Sequence, residues 1–407
     1  MKFLKLSLLI YFFLLLTNLF SQVDSSILVL SKKDSLFNTT NNGKDMIDVL
    51  GIKRFGDNVS SNRNGKPIIT AVPFIGYTLQ TRLAAIIAGN VAFYQGKDLE
   101  TNQSVINISL SYSQNNQIIF PIISNIWSRN NKFNFLGNWR YYKFPEQTFG
   151  LGGKKSDSDL TKLDYSYFIF KESVMHRFKN SFYYAGLGYN LSYHLNIQEI
   201  KNANVLISDF EKYGFTTSSI SSGLSIITLF DNRGNTINPP KGLYLNITYS
   251  PFLKVFGSDN NWQSVVLDFR KYFKLGNSEN VLAFWNYNWF TFNGKVPYLD
   301  LPSTGWDTYS NVGRGYIQSR LRGENLVYME AEFRFKISNN GLFGGILFGN
   351  AQSVSNWPDN TFTEIYPAVG AGLRIKLNKN SGTNLSIDYG IGRQGSKGLF
   401  INLGEVF

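Results

Sequence analysis

Apolar and polar residues alternate along much of the chain, and the clearest case runs from Val327 to Ile337. The polar set consists of Tyr328, Glu330, Glu332, Arg334 and Lys336, whereas every second position between them is apolar. A period of two places the two sets on opposite faces of a β-sheet. In a membrane barrel the apolar face meets lipid and the charged face lines a wet lumen, so this pattern predicts a transmembrane strand.

Comparable stretches recur about every 20 residues from Pro67 to the end, the spacing expected of hairpins built from strands of about ten residues. In one of them, Val281, Ala283, Trp285, Tyr287 and Trp289 share a face opposite Asn286 and Asn288. The predicted strands are 67–78, 82–95, 103–114, 116–129, 132–144, 160–175, 181–196, 215–231, 241–254, 261–275, 279–292, 325–337, 341–350, 366–378, 382–393 and 397–407. Sixteen is an even number, as single-chain bacterial barrels require.

Composition supports this all-β transmembrane antiparallel barrel. The 407 residues are 16% aromatic and only 17% charged, and no segment after the first 21 residues is apolar enough for a membrane-spanning helix. Aromatic residues that flank an apolar band are typical of outer-membrane barrels. The mean hydropathy of −0.15 averages lipid-facing and lumen-facing residues. The chain contains no cysteine, which excludes disulfides, cysteine metal sites and a lipoprotein anchor.

The beginning of the chain predicts export. Lys2 and Lys5 precede an apolar run over residues 6–16, too short for a membrane span and typical of a signal peptide over residues 1–21. Residues 22–66 are rich in Ser, Asn, Asp and Lys and are interpreted as a mostly flexible periplasmic segment, in which residues 45–52 have the pattern for one or two helical turns. The barrel is then expected over residues 67–407.

A periplasmic N-terminus fixes the direction of the connections. Long outer loops are expected at 145–159, 197–214, 293–325 and 351–365, and the turn between 231 and 242 is expected in the periplasm. This arrangement agrees with the rule of short periplasmic turns and longer outer loops.

Several segments, taken in order, resemble the BamA/TamA family of outer-membrane assembly and translocation barrels, also called the bacterial surface antigen barrel. Asp231, Arg233, Pro239 and Gly242 resemble the family's periplasmic turn, and residues 313–316 (Gly313, Arg314, Gly315, Tyr316) resemble its R-G-F/Y loop motif. Residues 330–335 (EAEFRF) resemble the E-x-R-F strand that follows this loop in the family. Residues 370–374, 387–390 and 404–407 resemble its closing strands.

This resemblance implies a barrel of about 16 strands whose sixth outer loop folds into the lumen, where its arginine contacts acidic residues of the wall. Carried over, that arginine is Arg314. Alternation independently places Glu332 and Asp388 on the lumen face, which makes them its natural partners. In the alternative interpretation Arg314 is a solvated loop residue and Asp388 pairs locally with Arg374 or Lys376.

The resemblance also implies a function and a location. The chain is expected in the outer membrane of a Gram-negative bacterium, assisting the insertion or translocation of proteins through a weak seam between the first and last strands. Phe407 resembles the C-terminal signal of barrel proteins. Leu399, Ile401 and Leu403 lie on its face of the strand, and Glu405 interrupts the pattern at the periplasmic interface.

Residues 22–66 are too short for a periplasmic POTRA domain, so the chain resembles a short, POTRA-less branch.

Catalytic chemistry has little support in the sequence. His176 and His194 lie near strand ends without an accompanying nucleophile motif, so no enzyme, catalytic residue, metal or cofactor is expected. The chain has a net charge of +12 but no stripe of basic residues, so nucleic acid is not an expected partner.

The expected partners are outer-membrane lipids, lipopolysaccharide, client outer-membrane proteins and periplasmic accessory proteins. A passive porin and an adhesive surface protein remain the alternative functions.

Overall fold

The computed structural model describes residues 43–50, 67–96, 101–179, 181–201, 205–379 and 382–407. The predicted signal peptide and most of the predicted periplasmic segment lie outside these residues. The helical turns predicted within 45–52 are confirmed as α1 (Met46–Leu50), which begins a structural unit that continues to the last residue. None of the described helices is long and apolar enough to cross a membrane.

One antiparallel sheet contains all the described strands and closes on itself as a barrel. The long strands are β1 (Ile68–Thr78), β2 (Arg82–Phe93), β3 (Ser104–Ser113), β4 (Ile118–Trp127), β5 (Phe133–Lys143), β7 (Thr161–Arg177), β8 (Tyr183–Ile200), β9 (Ser219–Asp231), β10 (Gly242–Phe252), β11 (Trp262–Lys274), β12 (Val281–Phe292), β13 (Asn325–Lys336), β14 (Phe343–Val354), β15 (Tyr366–Asn378), β16 (Thr383–Gly392) and β17 (Lys397–Leu403). These sixteen coincide with the sixteen predicted strands, and β6 (Glu146–Thr148) is an additional short strand beside β7.

Alternation separates the two faces of the wall as predicted. On β13, Met329 is 62% exposed on the outside, whereas Glu330 and Glu332 are buried on the inside. The neighbouring strands follow the same rule, since Leu347 and Val369 are exposed outward. The long strands therefore present an apolar outer surface and enclose a polar and aromatic interior.

The long loops lie at one end of the barrel and contain short elements that alternation did not predict. β6 lies in the first long loop, and α2 (Asp209–Gly214) lies in the second, where the Ser208 side chain accepts a hydrogen bond from the Glu211 backbone N–H. Short 3-10 turns occur at Arg129–Asn131, Asp157–Asp159, Lys254–Phe256 and Tyr298–Asp300. The loop of residues 293–324, called the inward loop below, runs into the lumen as the family resemblance implied.

Aromatic and aliphatic side chains fill part of the lumen. One cluster contains Trp285, Tyr287, Tyr316, Tyr328 and Phe407, so the apolar face of β12 points inward rather than toward lipid. Phe284, on the opposite face, is exposed. This face of β12 is apolar because it packs against protein inside the barrel, which alternation alone does not distinguish from contact with lipid.

The prediction of a final strand over residues 397–407 is wrong at its end. β17 stops at Leu403, and Gly404 adopts a left-handed conformation (φ 98°) that turns the chain. Residues 404–407, called the C-terminal tail below, enter the lumen, where Phe407 stacks on Trp285 with ring centroids 5.3 Å apart. Glu405 is likewise buried and paired, not placed at the membrane interface.

The sheet closes through a short contact between its first and last strands. β1 pairs with β2 from Ile68 to Thr78, but its register with β17 contains the single pair Tyr77–Ile401. Because the C-terminal tail leaves the wall after Leu403, it does not extend this pairing. The closure at β1 and β17 is therefore the least supported junction between adjacent long strands.

Candidate functional site in the barrel lumen

The inward loop brings Arg314 to the acidic face of β13 and β16. Gly313 and Gly315 on either side of it have φ values of 87° and 100°, which favour glycine. A side chain at Gly313 would lie 2.6 Å from the Cγ2 atom of Thr304. The two glycines thus allow a tight turn that points the intervening arginine into the barrel wall.

Arg314 is buried among three carboxylates. Its Nη1 atom lies 2.8 Å from Asp388 Oδ2, and its Nη2 atom lies 2.5 Å from Glu332 Oε2 and also contacts Glu330. The guanidinium carbon lies 3.9 Å from the centroid of the Phe348 ring. A planar guanidinium with five donors suits such a site, because it serves several carboxylate oxygens while stacking on an aromatic face.

Two further arginines extend this arrangement toward the C-terminus. Arg374 bridges Asp388 and Glu405, at 2.5 and 2.7 Å. Arg334 lies 2.7 Å from Glu332 and donates a hydrogen bond of 2.8 Å to the backbone oxygen of Phe407. We call the set of Arg314, Arg334, Arg374, Glu330, Glu332, Asp388 and Glu405 the lumen ion network. It joins the inward loop, the wall and the C-terminal tail.

Tyr316 fixes the other side of the loop motif. Its hydroxyl donates a 2.5 Å hydrogen bond to the backbone oxygen of Pro367 and accepts one of 2.7 Å from the Arg393 N–H. A side chain at Gly390 would lie 2.8 Å from the Gly315 Cα atom. The absence of a side chain at Gly390 therefore lets the loop backbone lie directly on β16.

A second buried ion pair anchors the inward loop near its end. Arg322 lies 2.9 Å from Glu146 of β6, and the Ser319 hydroxyl donates a 2.8 Å hydrogen bond to the same carboxylate. Burial raises the pKa of Glu146, and the neighbouring Arg322 opposes that change. This contact holds one outer loop against another, while β6 itself pairs with β7.

The sequence comparison decides the family. Residues 128–407 match the Omp85 superfamily domain. The chain belongs to the Omp85 superfamily. No curated protein matches the chain in sequence.

Solved structures of Omp85-type barrels share the fold. BamA from Haemophilus ducreyi lacking POTRA domains 1–3 has a TM-score of 0.54 and 17% identity, over 84% of this chain and 70% of that one. CdiB from Acinetobacter baumannii has a TM-score of 0.51 and 14% identity, over 83% of this chain and 60% of that one. CdiB from Escherichia coli has a TM-score of 0.53 and 10% identity, over 83% and 62%. This chain therefore spans 60–70% of their lengths.

Membership of the Omp85 superfamily places the protein in the outer membrane of a Gram-negative bacterium. The same membership supports an outer-membrane insertion or translocation barrel more than a passive porin.

The turn residues singled out from the sequence lie at the opposite end of this Omp85 barrel from the long loops. Asp231 ends β9 and forms a 2.8 Å ion pair with Arg233, whose guanidinium carbon lies 4.4 Å from the Tyr244 ring centroid. Gly242 begins β10 with φ 120°, and Pro239 between them is buried. These four residues form one local turn that is separate from the Arg314 contacts.

The structure thus brings Arg314, Glu332 and Asp388 together, and it adds residues that sequence reasoning missed. Asp388 contacts both Arg314 and Arg374, so the local pairing with Arg374 considered as the alternative exists beside the loop contact. Glu330 was detectable, because it shares the inner face with Glu332. The roles of Glu405 and Arg334 depend on the path of the C-terminal tail, which alternation does not indicate.

Proposed function

We propose that this Omp85 barrel assists the insertion or translocation of outer-membrane proteins by opening between β1 and β17. The observation that carries the proposal is the single registered pair, Tyr77–Ile401, between these strands. Separating them breaks few backbone hydrogen bonds, whereas separating any other adjacent pair of long strands breaks a longer ladder.

An opened seam offers a template for an incoming strand. The unpaired N–H and C=O groups of a free strand edge bind another extended chain by β-augmentation. Pro73 lies within β1 and Pro67 precedes it, and neither residue has an N–H to donate. Fewer donors on β1 favour exchange of one partner strand for another.

In this proposal the lumen ion network holds the inward loop and the C-terminal tail in place beside the seam. Arg314 acts through Glu332 and Asp388, and the motif residues Gly313, Gly315 and Tyr316 set its position. The turn of Asp231, Arg233, Pro239 and Gly242 closes the wall at the periplasmic end. Phe407 serves as the C-terminal signal read during assembly of this barrel.

No catalytic residue takes part in this proposed mechanism. Its partners are unfolded client barrels and periplasmic accessory proteins, the latter supplying client docking. Lipid and lipopolysaccharide contact the outer wall.

A disulfide across the seam tests the mechanism. Because the chain lacks cysteine, Tyr77→Cys with Ile401→Cys introduces one defined pair at the registered position. The purified variant is placed in phospholipid vesicles, and insertion of a urea-unfolded eight-stranded barrel is followed by its gel mobility. We expect oxidation to abolish the acceleration that the barrel gives, and reduction to restore it.

The matched control locks two strands away from the seam. Met329→Cys with Ala351→Cys joins registered residues of β13 and β14, where the ladder is continuous. Oxidation of this pair is expected to leave insertion unchanged. Full insertion by the oxidised Tyr77–Ile401 variant contradicts opening at the seam.

A further inference from the structure

A carboxylate lies on the lipid-facing surface of the barrel, far from the lumen ion network. Glu172 of β7 is in register with Gly137 of β5 and Tyr189 of β8. Phe168 and Val174, which share its face of β7, are exposed outward, whereas Tyr167 and Met175 of the other face are buried. Glu172 therefore points toward the membrane.

Aromatic rows above and below place Glu172 at the middle of the apolar band. Phe133 and His176 are paired at one level, and Tyr141 and Phe168 are paired at the other. Both levels lie four residues from the Gly137–Glu172 pair, or about 10 Å along the membrane normal for tilted strands. An ionisable side chain at this depth is costly and marks a candidate functional site.

The surroundings of Glu172 form a small notch with one hydrogen-bond donor. Its Oε1 atom accepts a 2.7 Å hydrogen bond from Trp139 Nε1, and the Trp139 ring stacks on Phe170 at 5.4 Å. A side chain at Gly137 would lie 2.5 Å from Ser124 Oγ and 2.7 Å from Glu172 Oε1. No residue that the structure describes donates a hydrogen bond to Oε2. The notch thus combines small residues, which permit close approach, with an available acceptor.

We propose that this notch, formed by Ser124, Gly137, Trp139 and Glu172, docks a transmembrane segment of a partner protein that carries a basic side chain at mid-membrane depth. Charge complementarity selects this occupant, because a carboxylate in hydrocarbon gains most from a cationic donor. Small residues permit close approach here, as they do where transmembrane helices pack against one another. A two-fold pair of this chain would instead bring two such carboxylates together, which their like charges oppose.

The site is separate from the proposed seam, since β5 and β7 lie several strands from both β1 and β17. Docking at the notch therefore does not depend on lateral opening between β1 and β17. The β4–β7 wall would hold a partner in the membrane, and the β1–β17 side would stay accessible to clients.

Energy transfer in vesicles tests the proposal with a defined probe. The full barrel carries a donor dye on a cysteine introduced by Lys179→Cys, in the turn after β7. An acceptor-labelled leucine–alanine transmembrane helix carries either one central lysine or leucine at that position. We expect the lysine peptide to bind about three- to tenfold more tightly than the leucine peptide, as one intramembrane polar contact allows.

Two variants and one control show whether Glu172 and the notch cause the tighter binding of the lysine peptide. Glu172→Gln keeps the side-chain shape and should remove the preference, and Gly137→Leu should remove it by filling the notch. Gly349→Leu is the matched control, because a side chain at this outward glycine would meet only Val369 Cγ1, at 3.9 Å. Heat-dependent gel mobility confirms that each variant is folded.

Equal binding of the two peptides, or a preference that survives Glu172→Gln, overturns the proposal. Energy transfer between differently labelled copies of the barrel that depends on Glu172 also overturns it, by assigning the notch to self-association.

Discussion

Arg314 is the residue whose removal should disturb the interior most. Its side chain is 2% exposed and contacts three carboxylates that are themselves almost fully buried. Arg314→Ala leaves those carboxylates without their shared cation, and breaking one partner out of a buried pair costs about 3–5 kcal/mol. We expect a corresponding fall in the free energy of unfolding, measured by urea titration of the barrel in detergent micelles.

Arg393, an exposed arginine, provides the control for the Arg314→Ala variant. Arg393 pairs with Glu364 at 2.9 Å, but its side chain is 42% exposed. Arg393→Ala should cost only about 0–1 kcal/mol, as is usual for surface pairs. Equal losses in the two variants would mean that the buried contacts of Arg314 contribute no more than a solvated pair does.

For individual residues, the sequence indicates which side chains face inward but not which of them pair. A period of two places Glu330, Glu332 and Arg334 on one side of β13, and Asp388 on the same side of β16. Which carboxylate meets Arg314 depends on the path of the inward loop and on the register between strands. The pairing of Glu405 with Arg374 was unpredictable for the same reason, because it requires the turn at Gly404.

Among elements, the long strands were predictable because their pattern is local. Most have one face against lipid and one against a polar interior, so alternation marks them without knowledge of their neighbours. The short elements in the loops, β6 and α2, depend on contacts such as Glu146 with Arg322, which join distant parts of the chain. The apolar inner face of β12 was misleading because protein, rather than water, fills that side of the lumen.

The C-terminal tail is the element whose role is easiest to isolate. The Phe407 ring is buried between Trp285 and the guanidinium of Arg334, whose central carbon lies 5.4 Å from the ring centroid. Phe407→Ala should lower the free energy of unfolding by about 3–5 kcal/mol, as for other buried phenylalanines. Urea titration against Phe256→Ala, a 40% exposed residue of a loop turn, provides the control. A loss as small as that control would contradict a tail held in the lumen.

For the whole molecule, the interior contacts form two levels across the barrel. The outer level joins β6 and the inward loop through Glu146 and Arg322, and the inner level is the lumen ion network with the C-terminal tail. Asn311 links the inward loop to the tail by donating a 2.7 Å hydrogen bond to the Val406 backbone oxygen. Loosening one contact should therefore affect the position of both segments.

Ion conductance distinguishes a filled barrel from a porin. The unmodified barrel in a planar lipid bilayer should conduct little, because the inward loop and the C-terminal tail occupy its lumen. Arg314→Ala should increase the conductance and its fluctuations by releasing the loop from β13 and β16, whereas Arg393→Ala should leave both unchanged. A large, steady conductance in the unmodified protein would favour the passive porin instead, since it requires an open aqueous path that these contacts obstruct.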